Sequence, residues 1–309
     1  MVNIASVSLA QPLETIADEL GRSFGEYGFA VVRDHGIPQD LIEEAERVSK
    51  AFFALPDAVK RAYKIEGGGG ARGYTPFGTE KAKDAEVFDL KEFWHVGRSL
   101  PEGHSLSEFM APNVWPTEVE GFRETMSALF SAFEVAGGRV LEAIALHLGR
   151  PRDFFALSVE DGNSVMRLLH YPPLGEGAPE GAVRAAGHED INTITLLLGA
   201  EEAGLELLTK TGEWLPIPAA EGALVINVGD MLQRQTNGRL RSTTHRVVNP
   251  RGDAARRARY SMPFFLHFRP DFLIEPLPEC IDADGVNPPL PPITAHDFLM
   301  QRLREINLA

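Results

Sequence analysis

Gly187-His188-Glu189-Asp190-Ile191-Asn192-Thr193-Ile194-Thr195-Leu196-Leu197-Leu198 decides how this chain is read. An imidazole and a carboxylate stand two residues apart at its start, and Ile191–Leu198 behind them is a short apolar run with the character of a strand. Residues two apart on a strand point to one face, so His188 and Asp190 can converge on one point while Glu189 turns to the rim. An isolated His-x-Asp is equally compatible with a helix cap or a surface ion pair. The surrounding sequence therefore has to decide.

From about Ser164 onward, apolar or alternating runs recur at Val165–His170, Ile191–Leu198, Leu205–Thr209, Ala223–Val228, Met231–Gln235, Thr243–Val248 and Arg259–Phe268. Many short strands at close spacing, with turn residues between them, indicate an all-β barrel or sandwich. Gly229-Asp230 and Asn237-Gly238 read as hairpin-type turns. The first half has a different period. Leu13, Ile16, Ala17, Leu20 and Phe24 recur at helical spacing, as do Leu41, Ile42, Ala45, Val48, Ala51 and Phe52 after Pro38. Gly28–Val32 between them reads as a strand. The longest helical pattern covers about Glu118 to Leu148, with Leu129, Phe133, Val140, Leu141, Ile144 and Leu148 on one stripe; Gly137-Gly138 should weaken or bend it. Thr294 to Leu308 returns to helix with Thr294 as N-cap. Gly67–Gly70 reads as a mobile loop rather than a phosphate cradle, since no strand precedes it and no Lys-Ser/Thr follows. No internal repeat is evident.

Composition narrows the chemistry. The 309 residues carry 30 Lys and Arg against 44 Asp and Glu, a net charge of −14 that speaks against nucleic acid as a partner. The single cysteine, Cys280, excludes an internal disulfide and a thiolate-rich zinc or iron–sulfur site, which leaves nine histidines and the carboxylates as metal ligands. No stretch approaches the roughly 18 to 20 apolar residues of a membrane span, and the start lacks a signal pattern, so a cytoplasmic protein is expected. No apolar stripe stands clear of those the core requires, so the sequence leaves the oligomeric state open.

A third ligand is available in His245, 55 residues after Asp190 and within another strand-like run, Ser242–Val247. Two histidines and one carboxylate on one face of an octahedron leave three positions open, the arrangement diagnostic of non-haem Fe(II) oxygenases. Fourteen residues further lies Arg259-Tyr260-Ser261, where guanidinium and hydroxyl again share a strand face. An Arg fork with a neighbouring hydroxyl suits one end of a dicarboxylate. By itself Arg256-Arg257-Ala258-Arg259 would read as a solvated charge run. The stripe Arg259, Ser261, Pro263, Phe265, His267, polar only at its ends, suits a strand whose one face enters a pocket.

With these residues in place, the sequence resembles the isopenicillin N synthase-like branch of the Fe(II)- and 2-oxoglutarate-dependent oxygenases over nearly its whole length. In the first half the resemblance rests on Phe24-Gly25-Glu26-Tyr27-Gly28-Phe29, His35-Gly36-Ile37-Pro38, Ala51-Phe52-Phe53-Ala54-Leu55-Pro56, Arg72-Gly73-Tyr74-Thr75-Pro76 and Asp89-Leu90-Lys91-Glu92. In the second half it rests on Tyr171-Pro172-Pro173, His188-Glu189-Asp190, Leu224–Asp230, Ser242–Val247 and Arg259-Tyr260-Ser261. The resemblance implies a mainly β fold with flanking helices: a double-stranded β-helix (jelly roll) core behind an N-terminal helical/mixed domain. Residues 1–115 would form that N-terminal domain, 116–160 a long supporting helix region, and 161–309 the core with a C-terminal helix. It further implies Fe(II) held by His188, Asp190 and His245, with 2-oxoglutarate as co-substrate, its distal carboxylate held by Arg259, Ser261 and Tyr171. Phe265 matches a position that lines the substrate pocket, and dioxygen and a small molecule are the other reactants.

The chain departs from the plant pattern Asn-Tyr-Tyr-Pro, having Leu169-His170-Tyr171-Pro172, so an amide contact to the co-substrate is missing. The Arg-x-Ser pair also occurs in relatives that do not consume 2-oxoglutarate, so an oxidase of that kind stays open. His170 and His267 lie on strands near the site and are candidates for facing substrate. His35, His95, His147 and His296 read as scaffold or surface groups, and Asn227 and Asp230 as turn-shaping residues. Three functions compete: an oxygenase that hydroxylates, desaturates or cyclises a small molecule, a non-catalytic iron or 2-oxoglutarate sensor, and a zinc hydrolase. The complete ligand set argues against the sensor, and the hydrolase would leave Arg259 and Ser261 without a role.

Overall fold

The computed structural model describes residues 4–66, 71–80, 88–174, 182–198, 204–218, 222–250, 252–281 and 288–305; Gly67–Gly70 lies outside these. The first part of the chain forms β1 (Ser6–Ser8), α1 (Leu13–Glu26), β2 (Phe29–Arg33), α2 (Gln39–Phe53), α3 (Asp57–Arg61), β3 (Gly73–Thr75), β4 (Glu92–Gly97), α4 (Phe122–His147) and α5 (Ala156–Val159). Then come β5 (Val165–Tyr171), β6 (Ala185–His188), β7 (Ile194–Leu198), β8 (Leu205–Leu208), β9 (Trp214–Pro216), β10 (Leu224–Val228), α6 (Asp230–Gln235) and β11 (His245–Val247). β12 (Arg259–Leu266), β13 (Leu273–Ile274), β14 (Ile293–Thr294) and α7 (Ala295–Glu305) complete it.

Alternation along the strands builds a two-sheet core. An eight-stranded sheet runs β1-β2-β10-β7-β12-β5-β4-β3, and a four-stranded sheet runs β6-β11-β8-β9. Along β10, Leu224, Ile226 and Val228 are fully buried toward the helices, while Asn227 faces the second sheet's side. On the helix side the stripe of α4 packs against β12, with Phe133 stacked on Phe264 at 5.1 Å between ring centroids. On the other side Phe29 and Val31 of β2 meet Leu205, Leu207 and Val247 of the small sheet. The cavity of the jelly roll lies where β6 ends at His188 and β11 begins at His245. The large sheet draws strands from both halves of the chain, so the N-terminal segment is part of the wall around the opening.

Three local readings differ from the structure. Met231–Gln235 is helical, not extended: within it Met231, Leu232 and Gln235 are buried, a helical spacing, and Asp230, also buried, sits in the first turn where its charge meets the helix dipole. Gly229-Asp230 is accordingly a helix start instead of a hairpin. A Cβ at Gly229 would lie 2.1 Å from the Asn192 carbonyl oxygen, so the glycine is there for close backbone approach. Asn237-Gly238 does turn, with φ of 48° and 81°, but after α6 and not between paired strands. Helix α4 is continuous through Gly137-Gly138, and Gly137 admits Leu266: a Cβ there would come within 2.5 Å of Leu266 Cδ1. At α7 the Thr294 cap forms as expected, its Oγ1 accepting the Asp297 N–H at 3.0 Å. Among the described residues no helix is long and apolar enough to cross a membrane.

Candidate functional site

Register across the small sheet brings the separated histidines together. β11 runs antiparallel to β6 with His245 directly opposite His188, and the two rings lie 4.4 Å apart between centroids. Asp190 follows the end of β6. Its Oδ1 lies 3.8 Å from His188 Nε2 and 3.9 Å from His245 Nε2, so one oxygen and two nitrogens converge. Among the described residues these three side chains form the one group of His, Cys, Asp or Glu with ligand atoms close enough to hold a metal ion.

Hydrogen bonds fix every orientation in this group. His188 Nδ1 donates to the Ala186 carbonyl at 2.8 Å and His245 Nδ1 to the Thr243 carbonyl at 3.1 Å, so each ring presents Nε2 as its lone-pair nitrogen. Asp190 Oδ2 accepts Thr195 Oγ1–H at 2.5 Å and Asn227 Nδ2–H at 2.8 Å, which leaves Oδ1 free to bind. Burial opposes the Asp190 charge, but the two histidines and these two donors outweigh it and hold the carboxyl below its usual range. Burial, with His245 beside it, pushes the His188 imidazole down to about 4, so it is neutral and ligand-ready at neutral pH. Glu189, just past the end of β6, is not on the cavity wall and accepts Thr244 Oγ1–H at 3.1 Å.

Arg259, Ser261 and Tyr171 meet on the large sheet in the same cavity. Arg259 stands opposite Tyr171 in the β12/β5 register, its Cζ 5.0 Å from the Tyr171 ring centroid, and its Nη1 donates to Ser261 Oγ at 3.3 Å. All three are almost fully buried, yet Arg259 Nε has no acceptor among the described residues. A buried guanidinium with unused donors beside a hydroxyl is a site for a carboxylate. Phe265 lines this cavity too, whose empty space, open mouth included, is about 580 Å³.

The structure does not bring the two remaining candidate histidines onto the cavity wall. His170 lies between Leu169 and Tyr171 in β5, so strand parity sends it to the opposite face, where Nδ1 pairs with Glu92 Oε1 at 2.7 Å and the ring stacks on Tyr260. His267 lies just past the end of β12, buried, with Nδ1 donating to the Phe265 carbonyl at 3.0 Å, and burial pushes its pKa down to about 4. The fold also places Thr195, Lys91 and Arg167 on the cavity wall, none of which the sequence singles out, and with them Asn227, read from sequence as turn-shaping with a supporting role behind the metal ligands left open. Thr195 and Asn227 could have been found by parity alone, since each is the polar residue at an inward position of its strand. His95, read as a scaffold group, accepts Arg167 Nε–H at Nε2 at 2.6 Å.

Two imidazoles and a carboxylate with converging ligand atoms, with a buried arginine nearby, define a protein of the mononuclear non-haem metal class. Comparison with known proteins agrees. Residues 2–118 match the family described as non-haem dioxygenase in morphine synthesis N-terminal, and residues 162–268 match the 2OG-Fe(II) oxygenase superfamily. The chain is 35% identical over 281 residues to the Emericella nidulans 2-oxoglutarate-Fe(II) type oxidoreductase hxnY, covering 88% of this chain and 79% of that protein. A solved Caulobacter crescentus structure described as belonging to the 2OG-Fe(II) oxygenase family shares 52% identity and a TM-score of 0.92 over 99% of this chain and all of its own. A full-length Neurospora crassa protein in complex with alpha-KG (2-oxoglutarate) is 29% identical, with a TM-score of 0.86 over 98% of each chain. The chain belongs to the 2OG-Fe(II) oxygenase superfamily and is an Fe(II)- and 2-oxoglutarate-dependent oxygenase.

Proposed function

We propose that His188, Asp190 and His245 hold the Fe(II), that Arg259, Ser261 and Tyr171 hold the distal carboxylate of 2-oxoglutarate, and that a small molecule is oxidised in the remaining space beside Phe265. The donor set fits ferrous iron: two imidazole nitrogens and one carboxylate oxygen on one side, with the cavity on the other. The observation that carries this reading is the presence of the three ligand atoms and the unsaturated Arg259 guanidinium in a single cavity. Held there, Fe(II) would supply dioxygen activation coupled to the oxidative decarboxylation of 2-oxoglutarate to succinate and carbon dioxide, with the substrate oxidised in the same turnover.

The protein's own part is orientation. Thr195 and Asn227 occupy Asp190 Oδ2 and leave Oδ1 for the metal, the two backbone carbonyls accept from Nδ1 of the imidazoles and leave Nε2 for it, and Arg259 would hold the co-substrate carboxylate. Anaerobic addition of Fe(II) and 2-oxoglutarate should produce a visible metal-to-ligand charge-transfer band that disappears in His188→Ala. A folded parent protein without the band refutes the assignment. Succinate formation under air separates an enzyme from a sensor.

A further inference from the structure

Beyond the triad and the Arg259 clamp, the cavity wall carries a second arginine that the proposed chemistry does not use. Arg167 lies on β5 four residues before Tyr171 on the same face, about 13 Å away along the strand, too far to share the distal carboxylate of a five-carbon oxo acid. Its guanidinium is stacked over Phe93, with Cζ 4.2 Å from the ring centroid, and lies 5.5 Å from the centroid of Phe265. Two of its nitrogens are committed. Nε donates to His95 Nε2 at 2.6 Å, and Nη1 donates to both Glu80 carboxylate oxygens at 3.2 and 3.3 Å. Nη2 has no acceptor among the described residues, and Arg167 lines the cavity.

The charge around Arg167 is already balanced. Glu80 also pairs with Lys91 at 2.8 Å, and Lys91 pairs with Asp89 at 2.8 Å, so two cations face two carboxylates. Burial works against the Glu80 charge, but Arg167 and Lys91 hold its carboxyl far below its usual range. With Nε and Nη1 taken, the fork that grips a carboxylate bidentately is closed, and what remains is a single N–H donor edge beside an aromatic face. The adjacent wall is apolar, made by Leu169, Leu197, Pro263 and Phe265. Phe265 stands opposite Thr195 in the β12/β7 register, and Thr195 holds Asp190, so this wall adjoins the triad.

Resting on the functional reading above, we infer that Arg167 Nη2 and the Phe265 ring form the recognition end for the substrate to be oxidised, a flat, uncharged molecule whose carbonyl oxygen accepts from Arg167. An anionic substrate would place an unmatched negative charge against a neutral cluster. A saturated one would forgo the ring contact.

The test is equilibrium binding by anaerobic calorimetry to full-length protein loaded with Fe(II) and 2-oxoglutarate, using uracil, 2-pyridone and benzamide as neutral probes and benzoate as the isosteric anion. At least one neutral probe should bind, and benzamide should bind more tightly than benzoate. Arg167→Lys keeps a charge opposite Glu80 but removes the planar donor. It should weaken the bound probes by about ten- to a hundredfold while the 2-oxoglutarate affinity stays put. Phe265→Leu, which keeps the wall apolar, should weaken 2-pyridone more than its saturated counterpart, 2-piperidone. Failure of all three neutral probes to bind, benzoate binding as well as benzamide, or an unaltered Arg167→Lys overturns the inference while the charge-transfer band stands. Absence of that band in the parent overturns the functional reading, and the inference with it.

Discussion

Thr195→Val changes one atom of consequence at the proposed metal site. The side chain keeps its shape, and Asp190 Oδ2 loses the shorter of its two donors, at 2.5 Å, retaining Asn227 Nδ2 at 2.8 Å. A hydrogen bond to a charged acceptor contributes about 1.5–3 kcal/mol, and groups that orient a metal ligand are worth roughly 10–100-fold in metal affinity, two figures that agree. Fe(II) affinity, read by anaerobic titration against a competing chelator, should therefore fall about 10–100-fold in Thr195→Val. Because Thr195 and Asn227 serve one oxygen, Asp190 is free to rotate once both are gone, so Thr195→Val/Asn227→Ala should depart from additivity. Asn192 Nδ2, which donates to Thr195 Oγ1 at 3.1 Å, keeps its bond to the Ile194 carbonyl at 2.7 Å, so the fold should tolerate the change. An iron affinity within about twofold of the parent, with an unchanged thermal melt, would refute the idea that the Oδ2 donors hold Oδ1 toward the metal.

Three further outcomes are expected. Arg259→Lys loses the planar fork next to Ser261 and should raise the KM for 2-oxoglutarate about tenfold or more with a smaller effect on kcat, checked by succinate formation. Gly138→Ala, with open space at its Cβ, should stabilise α4 by about 0.5–1 kcal/mol, whereas Gly137→Ala, whose Cβ meets Leu266, should lack that gain or reverse it; melting temperatures of the pair decide. Glu92, buried among Lys60, Tyr74 and His170, should on mutation to Gln cost about 3–5 kcal/mol, because Lys60 is left buried without its counter-charge. Burial opposes the Glu92 charge, but the His170, Lys60 and Tyr74 hydrogen bonds prevail and lower its pKa. Its stabilisation is therefore present above the ordinary glutamate value of about 4.3 and is lost as pH falls through the lower folded value. Denaturant melts should thus show the acid limb of stability flattened in Glu92→Gln.

Local patterns made much of this protein legible. The period of 3.6 placed α1, α2 and α4, the period of 2 placed β5, β7, β10 and β12, and parity within a strand put Arg259, Ser261 and Phe265 on one face. The His188-x-Asp190 spacing named both as candidates for one point, although Asp190 lies past the end of β6 and is oriented by Thr195 and Asn227, and a single cysteine was enough to exclude a thiolate-rich site. The net charge of −14 also acquires a local exception, since Lys91, Arg167 and Arg259 all line the cavity.

What the sequence could not decide depends on partners far away in the chain. The strand-like run Met231–Gln235 became a helix because the end of β10 meets the Asn192 backbone and must turn there. His170 and Arg167 are both polar residues of β5, and only the pairing of β5 with β4 and β12 shows that the first meets Glu92 and the second meets the cavity. Thr195 and Asn227 reach Asp190 because β7 pairs with β10, and His245 faces His188 because β11 pairs with β6. Side-chain direction along one strand is set by local stereochemistry and can be read from the sequence. Register between strands is set by the packing of the whole core, so it exists only once the chain has folded.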